Sequence, residues 1–116
     1  MIAQRALPAV PLQQLREDFG LSRERMARLL DVSSKTVERW EAEFPARPNR
    51  HTLVRLAQLR EIHELGLIVY RPDGLRVFLH TPMPVFDGST ALEFIERGQA
   101  EDVVGALAAD YEGLGF

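Results

Sequence analysis

From Leu12 to Trp40 the apolar positions recur at three- and four-residue steps, the period of helices with one buried face. Leu12, Leu15 and Phe19 form a first stripe behind Pro11, and Gly20 supplies its stop. Ser22 is placed to cap a second helix, whose inward face is Met26, Ala27, Leu29 and Leu30. The pattern breaks at Asp31, a residue type that tolerates positive φ. Ser33 can then cap a third helix that turns Val37 and Trp40 inward. Two helices of about nine residues joined by a tight turn make a helix-turn-helix.

Beyond residue 42 the periodicity is interrupted. Pro45, Pro48 and Asn49 mark 43–50 as a loop. Thr52 is the expected cap of a helix running to Leu65, with Gly66 as its stop and Leu67 as the accompanying apolar contact. Its apolar stripe rotates along the helix, as expected of a helix touching both halves of the chain. Residues 67–80 support two readings. The apolar runs 67–70 and 75–79 around Arg71-Pro72-Asp73-Gly74 fit a β-hairpin, which the local pattern slightly favours over a short helix opened by Pro72 with Leu75, Phe78 and Leu79 inward. After the Pro82 and Pro84 break, Thr90 and Glu93 form a capping box for a helix over 91–97, stopped by Gly98. A last helix is expected over 100–111, with Val103, Val104, Leu107 and Ala108 apolar. Glu101 and Asp102 complement its positive end.

At 116 residues the chain fits one compact domain or two small halves sharing a core. The 46% apolar and 27% charged content is that of a globular protein. The absence of cysteine excludes disulfides, thiolate metal sites and cysteine nucleophiles. With no membrane-length apolar run and no signal-peptide core at its start, the expected location is the cytoplasm. Charge is uneven: residues 1–50 hold nine Lys/Arg against seven Asp/Glu, and residues 51–116 five against ten. Only the first half is suited to approach an anion.

No catalytic constellation is visible. His51, His63 and His80 lack the one-turn pairing of helical zinc sites, and His63 is read as a helix-surface residue. Ser33 and Ser34 belong to a cap, no glycine cluster follows a strand, and Glu17-Asp18 and Glu101-Asp102 fit solvated helix ends. The expectation is no enzyme, no cofactor and no metal.

The run LSRERMARLLDVSSKTVERWE, Leu21 to Glu41, resembles the Xre-type repressor family, with Asp31 where that family often has Gly. The resemblance implies that the third helix enters the major groove of double-stranded operator DNA. Ser33, Ser34, Lys35, Thr36 and Arg39 would then face bases or phosphates, with Arg47 and Arg50 reaching phosphates from the loop. The plainer reading of the same positions is a solvated face of a protein-binding helical unit.

The second half carries Pro72-Asp73-Gly74-Leu75, Phe78 to Pro82, Gly88 to Glu93, Gly98 and the stretch from Val104 to Gly113 in that order. This resembles the toxin-binding domain of Xre/MbcA/ParS-type antitoxins, which partner RES-domain toxins; Phe78 stands where Trp is frequent and Ala91 where Pro is. The resemblance implies an all-α fold, helical over 72–80, with a DNA-binding region at 1–50 and a toxin-binding and dimerisation domain at 51–116. It implies an antitoxin that occludes the active site of an NAD-degrading RES-domain toxin and represses its own operon. The toxin contact would fall on Tyr111, Glu112, Gly113, Leu114, Gly115 and Phe116, and a homodimer would form through surface around Leu75, Phe78 and Leu107. The rival is a dimeric helix-turn-helix regulator with no toxin; a third reading is an interaction protein whose helix-turn-helix is vestigial.

Overall fold

The computed structural model describes residues 10–113. Among them are seven α-helices and no strand: α1 (Leu12–Asp18), α2 (Arg23–Leu30), α3 (Ser34–Ala42), α4 (Arg50–Val69), α5 (Pro72–His80), α6 (Ala91–Glu96) and α7 (Ala100–Gly113), with a 3₁₀ turn at Pro84–Phe86. The all-α expectation holds.

Local chemistry explains most of the boundaries. Ser22 and Ser33 accept from the backbone N–H of Arg25 and Thr36, each at 3.1 Å. Thr90 accepts from Glu93 N–H while the Glu93 carboxylate accepts from Thr90 N–H, the reciprocal box expected. Those hydrogen bonds hold the Glu93 carboxyl below the usual carboxylate range. Pro72 opens α5, so the hairpin reading of 67–80 is replaced by helix, with Leu75, Phe78 and Leu79 buried.

Helix α4 differs from expectation at both ends. Its cap is Asn49, whose side chain accepts from Thr52 N–H at 2.9 Å, so the helix begins at Arg50. Thr52 instead lies in the first turn, 1% exposed, its hydroxyl without a partner. Gly66 does not stop the helix, which continues to Val69. There a Cβ would stand 2.6 Å from Leu75 Cδ1, so glycine is required by the approach of α5. The buried residues Thr52, Leu56, Leu59, Ile62, His63 and Gly66 follow one face of this helix, while Leu53 and Ala57 are exposed.

One apolar cluster runs from Leu12 on α1 to Leu107 on α7. Tyr70, Phe78, Phe86 and Phe94 form an aromatic row, with successive ring centroids 5.0–6.1 Å apart, joining α4 to α5, the 3₁₀ turn and α6. Leu75, Phe78 and Leu107 are all buried inside the molecule. They therefore supply no surface for a second copy, which corrects the dimer surface expected from the sequence.

Candidate nucleic-acid interface

The turn between α2 and α3 is built as its residue types require. Asp31 sits at φ 60°, ψ 49°, in the left-handed region. Val32 N–H then donates to Ala27 carbonyl at 2.9 Å, sealing the end of α2. Met26, Ala27, Leu29 and Leu30 of α2 and Val37 of α3 are buried together with the rest of the core. Trp40 is half-buried and meets Phe44 edge-on, ring centroids 5.6 Å apart.

A buried ionic junction fixes the far end of α3. The Glu41 carboxylate accepts from Arg16 Nε at 2.5 Å and from Arg23 Nε at 2.9 Å, tying α3 to α1 and α2. Its side chain is 3% exposed. Burial raises the Glu41 carboxyl, but the two guanidiniums outweigh burial and hold it below its ordinary value. Arg25 pairs with Glu96, tying α2 to α6. Arg55 of α4 donates to Leu29 carbonyl at 3.2 Å and to Ile95 carbonyl at 3.0 Å, satisfying backbone acceptors in the last turns of both α2 and α6.

All three histidines lie beyond residue 50, and each bonds to the first half. His51 meets Asp31 at 3.0 Å, His63 meets Asp18 at 2.8 Å, and His80 meets Phe19 carbonyl at 2.9 Å. His63 is 6% exposed, which corrects its assignment to the helix surface. Asp18, expected to be solvated, is occupied by His63 and by Gln14.

Of the residues expected to face DNA, five lie at the cap and on the body of α3, one in the loop after it and one in α4. Ser33, Lys35 and Arg39 are exposed; Ser34 and Thr36 are half-buried. Ser33 and Thr36 are partly committed to each other, their hydroxyls 2.9 Å apart. Among the described residues, Lys35, Arg39, Arg47 and Arg50 form no ion pair, in contrast to Arg16, Arg23, Arg25 and Arg28. Arg50 belongs to the first turn of α4, not to the loop. Glu38 is also exposed, the one acidic side chain among the forward-facing positions of α3. At the other end of the chain, Tyr111, Glu112 and Gly113 complete α7, while Leu114, Gly115 and Phe116 lie outside the described residues. Among the described residues no three metal-ligating side chains converge, and no helix is long and apolar enough to cross a membrane.

Sequence reading missed Arg16, Glu41 and Arg55. Partners 25 to 40 positions apart leave no periodic trace, and an isolated Arg or Glu reads as solvated. Comparison with known proteins places this geometry. Residues 12–61 match the helix-turn-helix family. A probable mycobacterial cidal antitoxin of Mycobacterium tuberculosis is 28% identical over 109 residues, covering 94% of this chain and 92% of that protein. The crystal structure of the M. tuberculosis MbcT-MbcA toxin-antitoxin complex contains a chain that matches with TM-score 0.73 and 24% identity. The match covers 90% of this chain and 94% of that one. The chain thus carries an Xre-type helix-turn-helix domain, set in the all-α fold of an MbcA-type antitoxin.

Proposed function

We propose that this chain is the antitoxin of a toxin–antitoxin pair and acts through two surfaces. One binds a RES-domain toxin of the NAD-degrading class and covers its active site. The other, on α3, binds operator DNA and represses the operon that encodes both proteins. NAD is then the partner's substrate and not a cofactor of this chain. The observation that carries the reading is that likeness to antitoxins extends through both halves, 94% of the chain in the curated relative, and not through the helix-turn-helix alone.

Physical features support each role. The α3 face offers Lys35 and Arg39, which have no ion-pair partner among the described residues, and the loop after it offers Arg47, to phosphates and base edges. Ser33, Ser34 and Thr36 add hydroxyl donors at the same helix N-terminus, the end that reads bases in such domains. The second half is acidic, suited to a basic dinucleotide-binding pocket on the toxin and unsuited to DNA. Tyr111 to Phe116 form the contact that enters this pocket. The protein works in the cytoplasm as a homodimer, which presents two recognition helices to a two-fold operator.

The deciding experiment is co-expression with the product of the adjacent reading frame, scored by growth. The full chain rescues, and a chain lacking residues 112–116 does not, although it still binds operator DNA. Rescue by the truncated chain moves occlusion to the helical body. If the full chain fails to rescue but binds operator DNA, the protein is a helix-turn-helix regulator without a toxin.

A further inference from the structure

The face of α4 opposite its buried stripe is exposed over most of the helix length. Arg50, Leu53, Val54, Ala57, Glu61 and Glu64 follow one another on it at helical steps, within about 60° either side of Ala57. All six are exposed. Leu53 and Val54 leave 48% and 49% of their surface in water. Just along the same helix a groove of about 380 Å³ opens between α4 and α7, lined by Gln58, Glu61, Ala100, Glu101 and Val104. Ala100 and Val104 give it an apolar floor, and Glu61 and Glu101 an acidic rim.

An apolar knob and a groove of mixed polarity with an apolar floor, on one face of one molecule either side of a small residue, suit a two-fold interface between identical chains. Charge selects the direction. The first turn of α4 carries Arg50 and His51, and its later turns carry Glu61 and Glu64. Antiparallel pairing sets basic against acidic ends, while parallel pairing sets like against like. We propose that α4 pairs antiparallel with α4 of a second copy about an axis at Ala57. Leu53 and Val54 of each copy enter the other's groove against Ala100 and Val104, and each Arg50 meets Glu64 of the other copy. The register is dictated by the spacing, since residues seven either side of Ala57 come to the same height, as do those three or four either side. Ala57 lets the two helices approach to about 8 Å, close enough for side chains on the axis to touch. Arg50 thereby leaves the DNA-facing set. This proposal rests on the homodimer of the reading above and supplies its surface in place of the buried Leu75, Phe78 and Leu107.

The chain has no cysteine, so Ala57→Cys places its sole thiol on the axis. Full-length Ala57→Cys is expected to form disulfide-linked dimers readily under mild oxidation, and Val77→Cys, exposed on α5, is not. In light scattering and sedimentation, the Leu53→Asp, Val54→Asp double variant should raise the dimer dissociation constant at least about 30-fold with unchanged helical circular dichroism. Arg50→Glu and Glu64→Arg should each weaken the dimer about fivefold, and the two together should restore it. A wild-type dimer whose Ala57→Cys form links no faster than Val77→Cys overturns this surface and leaves the homodimer standing. A wild-type chain monomeric at tens of micromolar overturns both. Loss without rescue in the charge-swapped pair overturns the antiparallel register. None of these readouts depends on the toxin, so failure of growth rescue is separable from each.

Discussion

Replacing Glu41 by Ala removes the residue that holds the end of α3 against α1 and α2. The carboxylate accepts from Arg16 Nε at 2.5 Å, Arg16 Nη2 at 3.3 Å and Arg23 Nε at 2.9 Å. The two arms are unequal, because Arg23 is 45% exposed and Arg16 only 14%. The exposed Arg23 arm is screened by solvent and adds little. Breaking a fully buried pair costs about 3–5 kcal/mol, and the residual exposure of Arg16 reduces that to about 2–3 kcal/mol. Glu41→Ala should therefore destabilise the fold by about 2–3 kcal/mol, read as a lower urea midpoint at unchanged m-value. The pH dependence has a definite sign. Burial raises the Glu41 carboxyl and the two guanidiniums pull it further down, so its folded value lies below the unfolded one. Its contribution is complete above the unfolded value of about 4.3 and is lost as pH falls through the folded value. The stability difference between wild type and Glu41→Gln should be flat above about pH 5.5 and shrink below about pH 4. A cost under about 1 kcal/mol would refute the reasoning. So would a pH-independent difference, or a double-mutant cycle coupling Arg23 as strongly as Arg16.

Further expectations follow from other contacts. Arg55→Met keeps the stem but removes the donors to Leu29 and Ile95 carbonyls, and should cost about 2–3 kcal/mol in thermal or urea unfolding. Gly66→Val drives a branched side chain into Leu75 and should destabilise by about 2–3 kcal/mol despite valine's better helix propensity, with the loss measured by urea denaturation. Tyr70 is pushed up to about 12, first by burial and then by its hydrogen bond to Asp110. Ultraviolet titration should show Tyr70 ionising late, and the stability this contact adds should persist below about pH 10 and fall as pH rises through 12. Lys35→Ala with Arg39→Ala should abolish most operator binding in a gel-shift assay and flatten its salt dependence by about two phosphate contacts, with helicity unchanged.

What the sequence disclosed was what adjacent residues decide among themselves. The caps at Ser22, Ser33 and Thr90 and the left-handed Asp31 rest on partners within a turn, whereas the local pattern at Pro72 leans to a hairpin and the helix there follows only from the family resemblance. The far end of α4 depends on a residue of another helix, and its start on a choice between two neighbouring cap candidates. Gly66 looks like a stop until Leu75 is known to press against it, and Thr52 looks like a cap beside an Asn49 that already fills that place. His63 was placed outside because a single polar residue on a mixed stripe does not reveal the carboxylate 45 positions earlier that makes its burial tolerable. The exposure of Lys35 and Arg39 on α3 is legible in the sequence, and the ionic junction that holds the end of that helix is not.

The contacts of Arg55, His51, His63 and His80 share one direction along the chain: the earlier residue waits for the later one. Leu29 is synthesised 26 residues before Arg55, so until the later residues are made and folded its carbonyl is served by water and not by the guanidinium. At about 5–20 residues per second, the interval from Leu29 to Ile95 is several seconds. A prematurely terminated chain keeps the tie of α3 to α1 and α2 through Arg16, Arg23 and Glu41 but lacks the ties of α2 to α4 and α6. The α2–α3 unit reaches its final stiffness only when nearly the whole chain has been made.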